Sequence, residues 1–320
     1  MKRRSLTLAA AALVAVAPAL SAQEYPTKPV HIVVPFAPGG GSDFIARFMA
    51  QRLTETLGRP FIVDNKPGAG GNLGTEQGVK SPADGYTLTL IASSYTVNPA
   101  IYKLNFDPLN DITPIIQLSQ GPLLITTHPA LPVKSLQELI ALAKAKPAQI
   151  NFASSGQGSI IHVATELFDL KAGIKMTHVP YKGTGPALTD TLGGQTNVFF
   201  SSAASALPHI QAGKLNVLAV TGPKRIPALP NVPTVAEAGV PGYQVILWHG
   251  LIGPKGLPRA TVDKLNQAAA KSLTLKETGE KLAADGVAPA GGTPEQFLAT
   301  IRNEIQVWRK LAADGAISAE

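Results

Sequence analysis

The chain contains no cysteine. The cysteine-borne lipid anchor of a bacterial lipoprotein is therefore excluded, and the fold needs no disulfide in an oxidising compartment. Charge is also scarce, at 15% of residues against 45% hydrophobic. Such a chain fills substantial cores and is not disordered. Of the formal charge of +7, three units come from Lys2, Arg3 and Arg4, leaving +4 (7 − 3) for the remainder. That mild, scattered excess forms no nucleic-acid patch and is compatible with a slight attraction for small anions. No later apolar run reaches the roughly 20 residues of a membrane span.

Met1 to about Ala22 has the form of a secretory leader. It carries the positive Lys2–Arg4, an apolar Leu6–Val16 and a small-x-small site at Ala19-Leu20-Ser21. The expectation is a chain exported to the periplasm and free there. The other 298 residues (320 − 22) suffice for one large or two ordinary domains.

The rest is organised around Pro29–Gly58. Val30, Ile32, Val33 and Val34 predict a buried strand. Pro35 and Pro38 stop it, and Gly39-Gly40-Gly41 supply a turn. Ser42 or Asp43 suits an N-cap, Ile45, Phe48, Met49, Leu53 and Leu57 form a helical stripe, and Gly58 ends it. Free amides at a helix start beside a bare turn make an anion site. The dinucleotide pattern G-x-G-x-x-G fails at Phe44, although Asp64 imitates its ribose-binding acid; a P-loop fails for want of Gly-Lys-Ser/Thr.

Strand Phe61–Val63, a short helix Leu73–Val79 and strand Tyr86–Ile91 continue an α/β series. Its ligand-facing loops then include Ala92-Ser93-Ser94-Tyr95-Thr96, beside the first turn. A second series begins near Leu123: strand Leu124–Thr127, helix Leu136–Ala145 and strand Ile150–Ala153. Ser154-Ser155-Gly156-Gln157-Gly158-Ser159 opens helix Ile160–Leu170 and repeats the logic of the first turn. Strand Met176–Tyr181, helix Ala187–Leu192, Val198-Phe199-Phe200 with Ser201-Ser202, and Val217–Thr221 follow. Two anion-competent turns, one in each series, are placed to face each other across a cleft.

Several stretches together resemble the substrate-binding proteins of tripartite tricarboxylate transporters, the Bug family of periplasmic solute receptors. They are Tyr25-Pro26 with Pro29-Val30, Val34–Gly40 with Asp43, Val63–Gly71, and Ser154–Ser159 with His162 and Glu166. Val179–Gly183, Asn231–Thr234 with Glu237-Ala238-Gly239, and Trp248–Leu251 with Pro254 complete the set. The resemblance runs in order along nearly the whole chain after the leader. It implies an α/β, two-lobed periplasmic-binding-protein architecture of the type II, hinged-clamp kind. Lobe 1 would comprise 23–123 plus 245–320, and lobe 2 would comprise 124–244, with two strands crossing between them. Helices Arg259–Leu273, Glu277–Ala284 and Pro294–Ala313 would pack on lobe 1, and Thr293-Pro294-Glu295-Gln296 has the form of a capping box opening the last of them.

The resemblance further implies a monomeric receptor that captures a small carboxylate and hands it to membrane permease subunits, with no cofactor, metal or catalytic residue. Phe36, Ala37, Gly39, Gly40, Ser94 and Thr96 would meet Ser154, Ser155, Gly158 and Ser159 on the anion. Tyr181, Gly183, Ser201 and Ser202 would close the far wall. No arginine occurs in these loops, so several neutral donors must converge. Lys66 and Lys182 are expected as solvated rim lysines. His162 and Glu166, spaced i, i+4, have no third ligand at a recognisable spacing and are expected to be structural. None of the paired serines lies in G-x-S-x-G or has a nearby His in sequence to act as base. Trp248 and Tyr181 either border the ligand or fill the core. A secreted hydrolase, a dinucleotide-dependent oxidoreductase, and a sensor presenting its closed form to a receptor kinase are the alternatives.

Overall fold

The sequence-predicted strand at Val30–Val34 is the first strand of a ten-stranded mixed sheet in the computed structural model, which describes residues 24–318. The leader assigned to residues 1–22 lies outside the described residues. In chain order the elements begin β1 (Val30–Val34), α1 (Gly41–Leu57), β2 (Phe61–Asn65), α2 (Asn72–Val79), β3 (Thr87–Ala92) and α3 (Ser94–Ile101). Next come β4 (Ile112–Thr127), α4 (Leu136–Ala145), β5 (Asn151–Ser154), α5 (Ile160–Ala172), β6 (Thr177–Pro180) and α6 (Thr184–Leu192). The series ends with β7 (Val198–Ser202), α7 (Ala203–Gln211), β8 (Asn216–Val220), β9 (Ile246–Pro254), α8 (Arg259–Leu273), α9 (Lys276–Ala284), β10 (Ala288–Gly291) and α10 (Pro294–Ala313).

The strand order is β2-β1-β3-β9-β4-β7-β5-β6, with β8 and β10 also pairing with β4. β1 runs parallel to β2 and β3, and β5 parallel to β6 and β7, the pattern of crossover helices covering a sheet. Between these groups β4 and β9 lie antiparallel. β4 changes neighbours midway: Ile112–Pro122 pairs with β9, and Leu123–Thr127 with β7 and β8. One apolar cluster, including Ile32, Met49, Leu53, Leu88 and Leu265, lies with β1 and β3. Another, including Phe152, Phe168, Phe199 and Phe200, lies with β5 and β7.

Several local differences from the sequence reading have physical causes. β4 starts twelve residues before Leu124 (124 − 112) and contains Pro114 and Pro122. Pro114 falls where the pairing with β9 shifts register, a place where its missing N–H costs no ladder bond. The segment expected as a loop after β3 is helix α3, and helix α7, for which the sequence reading assigned no element, follows β7, despite Pro99 and Pro208 inside them. Helices this short are held by tertiary packing rather than by propensity. The N-cap of α1 is Gly40, not Ser42 or Asp43. Asp43 instead turns its carboxylate back to accept from the Gly39 amide at 3.1 Å. Gly58 ends α1 at φ 71°, as expected, and Thr293 with Gln296 forms the expected capping box on α10.

α10 does not stay with one cluster. Phe297, Ile301 and Ile305 pack with Trp248, whereas Trp308, together with Ile317 just beyond the helix, joins the aromatic cluster of β5 and β7. Twenty helical residues at about 1.5 Å each reach roughly 30 Å, far enough to touch both.

Candidate functional site

Five helices begin around one gap. Its lining includes Gly41 and Ser42 from the start of α1, Ser94 from α3, Ile160 and Ile161 from α5, Thr184 from α6, and Ser202, the N-cap of α7. Four of these five starts lack a side-chain cap; only α5 has one, where Ser159 accepts from the His162 amide. Each helix start carries about half a positive charge in its aligned dipoles and up to four amides without a helical acceptor. Phe36, Ala92, Ser155, Leu247 and His249 complete the lining.

Glycine lets the walls approach. A Cβ on Gly40 would lie 2.9 Å from Thr184 Cβ, and one on Gly185 only 2.2 Å from the Pro38 carbonyl oxygen. Two hydrogen bonds tie the sides directly: the Ala37 amide donates to the Lys182 carbonyl at 3.0 Å, and the Ile160 amide to Ser94 Oγ at 2.9 Å. In this closed arrangement the cavity measures about 20 Å³, room for about one water molecule. Small-ligand sites are typically 300–1,000 Å³, so admitting a solute requires the walls to part.

Of the residues expected at the site, Phe36, Ser94, Ser155 and Ser202 line this gap. Gly39 and Gly40 border a neighbouring surface pocket with Arg47 and Lys281. Ala37 and Gly183 are at the contact between the sides, with the Ala37 amide 2.8 Å from where a Gly183 Cβ would be. The others support the loops rather than face the gap. Ser154 Oγ is 2.6 Å from His178 Nε2 and accepts from the Gly156 amide. The Gly158 amide donates to His162 Nδ1, and Ser159 caps α5. Tyr181 donates to Asp190, and Ser201 Oγ donates to the Leu124 carbonyl. Thr96 lies 2.9 Å from Glu304, against α10.

His162 is fully buried and stacks on His178 with ring centroids 3.9 Å apart. Its Nε2 is 3.2 Å from Glu166 without the geometry of a hydrogen bond, and no metal-binding cluster occurs among the described residues. Burial, with the neighbouring His162 adding to it, pushes the His178 pKa down to about 3. Trp248 fills the core: its ring meets Phe297 edge-on, and Nε1 donates to Glu304. Burial raises the Glu304 pKa. Lys66 and Lys182 are exposed, as expected.

His249 was not among the expected site residues. It sits on β9 within the gap, 2% exposed, with Nδ1 3.1 Å from Ser119 Oγ and Nε2 3.2 Å from Ser42 Oγ. Burial pushes its pKa down to about 3, so the closed gap holds a neutral ring. The signal was present as a lone histidine inside the apolar run Trp248–Gly253, on the strand expected to cross between the halves.

Uncapped helix starts from two parallel-stranded groups, meeting over a pair of shared antiparallel strands, define the periplasmic binding-protein class. Residues 45–315 match the tripartite tricarboxylate transporter family receptor. The chain is 39% identical to BugT of Bordetella pertussis over 300 residues, 92% of this chain and 91% of that protein. A Rhodopseudomonas palustris protein solved with adipate superposes with a TM-score of 0.88 at 37% identity, covering 91% of this chain and 98% of that one. MatC from the same organism, solved with bound malate, gives 0.86 at 31% identity, covering 90% and 100%. The chain therefore belongs to the tripartite tricarboxylate transporter receptor family of periplasmic solute-binding proteins.

Proposed function

We propose that the protein captures a small carboxylate in the gap between two lobes and delivers it to the membrane permease of a tripartite tricarboxylate transporter. The observation that carries this reading is the convergence of five helix starts, four without a side-chain cap. Amides and hydroxyls there form a donor-rich anion site without an arginine or lysine. The relatives solved with adipate and malate support the ligand class. Lobe 1 is 23–123 plus 245–320 and lobe 2 is 124–244, hinged where β4 exchanges β9 for β7 and β8 at Pro122/Leu123. The ligand favours closure because only the closed form brings both sets of donors to it. Phe36, Gly41, Ser42, Ser94, Ser155, Thr184 and Ser202 touch the anion or its bridging water. Ala37, Gly39, Gly40 and Gly183 shape the closing edges, and Ser154, Gly158, Ser159, Tyr181, Thr96 and Ser201 hold the loops.

The receptor acts as a monomer without chemical turnover, free in the periplasm after removal of its leader. Among the described residues no helix is long and apolar enough to cross a membrane. Titration calorimetry against malate, adipate, succinate, glutamate and nicotinate tests the reading. At least one acid is expected to bind one-to-one and be recovered unchanged. Absence of binding by every member, or consumption of the acid, would overturn it.

A further inference from the structure

Among the described residues lining the gap, His249 is the single titratable side chain. Its position is fixed from both sides of β9, opposite Ala92 of β3 and Ser119 of β4. Both ring nitrogens face hydroxyls, Ser119 Oγ and Ser42 Oγ, which donate or accept equally well. A neutral ring has one bare nitrogen, so one hydroxyl must donate into it. An imidazolium donates from both nitrogens, so neither hydroxyl hydrogen is engaged by the ring. Ser42 lines the gap, so with the ring charged its hydrogen is available as a donor there, whichever hydroxyl the neutral ring had engaged.

The charged groups on the elements packed around the ring are engaged elsewhere. On α1, Asp43 is held by the Gly39 amide, Arg47 and Asn65. On α10, Glu304 is held by Trp248 and Thr96. β3 and β4 present Ala92 and Ser119, and the cap of α7 presents Ser202. No carboxylate of the protein makes an ion pair with His249 among the described residues, so a proton on the closed, unliganded ring has no counter-charge. An anion within the gap would provide it.

We propose that His249 is a switchable cation of the carboxylate site: neutral when the lobes close alone, and imidazolium when they close on an acid. Capture then takes one proton from solvent onto the ring nitrogen while the acid stays ionised. The inference rests on the carboxylate reading above. It also separates empty from loaded closure at acid pH, where the open ring is protonated and shutting the gap without an anion requires it to shed that proton.

The test is titration calorimetry with adipate and with malate at pH 7.5, in phosphate and in Tris, whose ionisation enthalpies differ. If opening wets the ring, the ordinary imidazole pKa near 6.5 leaves about one molecule in ten protonated at that pH. Binding is therefore expected to take up about 0.9 proton, and the Kd to rise nearly tenfold from pH 7.5 to 8.5. His249→Gln keeps a hydrogen-bonding side chain and is expected to abolish both the uptake and the pH slope. Tight binding by the native protein without proton uptake, or uptake that persists in His249→Gln, overturns this inference and leaves the carboxylate reading standing. Failure of both acids and of the rest of the panel overturns both. If His249→Gln does not fold, the proton count of the native protein still decides.

Discussion

Gly185→Ala weakens ligand capture by roughly 5- to 150-fold, the equivalent of the 1–3 kcal/mol usual for overpacking, while the melting temperature of the unliganded protein does not fall. Gly185 is the second residue of α6, and its backbone lies outside the left-handed region, so alanine strains nothing locally. In a helix alanine is even favoured over glycine, by up to about 1 kcal/mol. The added methyl matters only when the gap shuts, since it would sit 2.2 Å from the Pro38 carbonyl oxygen. That oxygen belongs to the turn between β1 and α1, which backbone and side-chain bonds to Lys182, Asp43 and Asn65 hold in place. A contact present in one state only shifts the balance toward the other. Calorimetry and small-angle scattering report the two consequences: a weaker Kd and a larger radius with saturating ligand. An unchanged Kd would mean that α6 and the first turn do not meet during capture.

Gly250→Ala destabilises the fold by roughly 1–3 kcal/mol, and Phe297→Leu restores part of that loss. Gly250 lies in β9, paired with Ile91 on one side and Gln117 on the other. A Cβ there would fall 2.1 Å from Phe297 Cζ and 2.6 Å from Cε1, inside a ring that is 1% exposed and packed against Trp248. A buried ring held on its other edge cannot turn aside as a lysine tip would. The strand must then lift from α10, or the ring must leave its rotamer. Thermal unfolding of the two single variants and the double variant measures the coupling. Additive losses would show that the ring relaxes freely, and that α10 does not brace the strand carrying His249.

What the sequence made legible depended on whether the signal was local. The β-branched run of β1, the glycine stop of α1 and the Thr293–Gln296 box of α10 are each decided within a few residues, and all three form where expected. α3 and α7 were not legible, because each is a short segment with an internal proline that only packing against the rest of the molecule makes helical. The first half of β4 was hidden for the same reason, its prolines falling at a register shift and at the exchange of partners. At the gap, glycine turns and paired serines pointed to the right loops, since Phe36, Ser94, Ser155 and Ser202 all face it. Which member of a serine pair faces inward depends on how the strand ends and the helix begins. Ser154 therefore bonds His178 while Ser155 faces the gap, and Ser201 bonds Leu124 while Ser202 faces it. Thr184 reaches the gap through long-range topology, for which no nearby residue gives a cue, and His249 is marked only as a lone histidine in the apolar run Trp248–Gly253.

The defining property of the gap is that helix starts recognise negative charge there. Each start contributes about 0.3–1 kcal/mol, and up to about 2 in a partly buried setting. At about 0.6 kcal/mol each, five acting together separate an acid from its uncharged likeness by roughly 3 kcal/mol, or more than a hundredfold in Kd. The direct measurement is calorimetry with the tightest acid of the panel and with its amide, which keeps the shape and the hydrogen-bonding capacity but carries no charge. Binding of the acid with the amide more than a hundredfold weaker is the expected result. Equal affinity for the two would mean that shape and neutral hydrogen bonds select the solute, and that the converging helices do not.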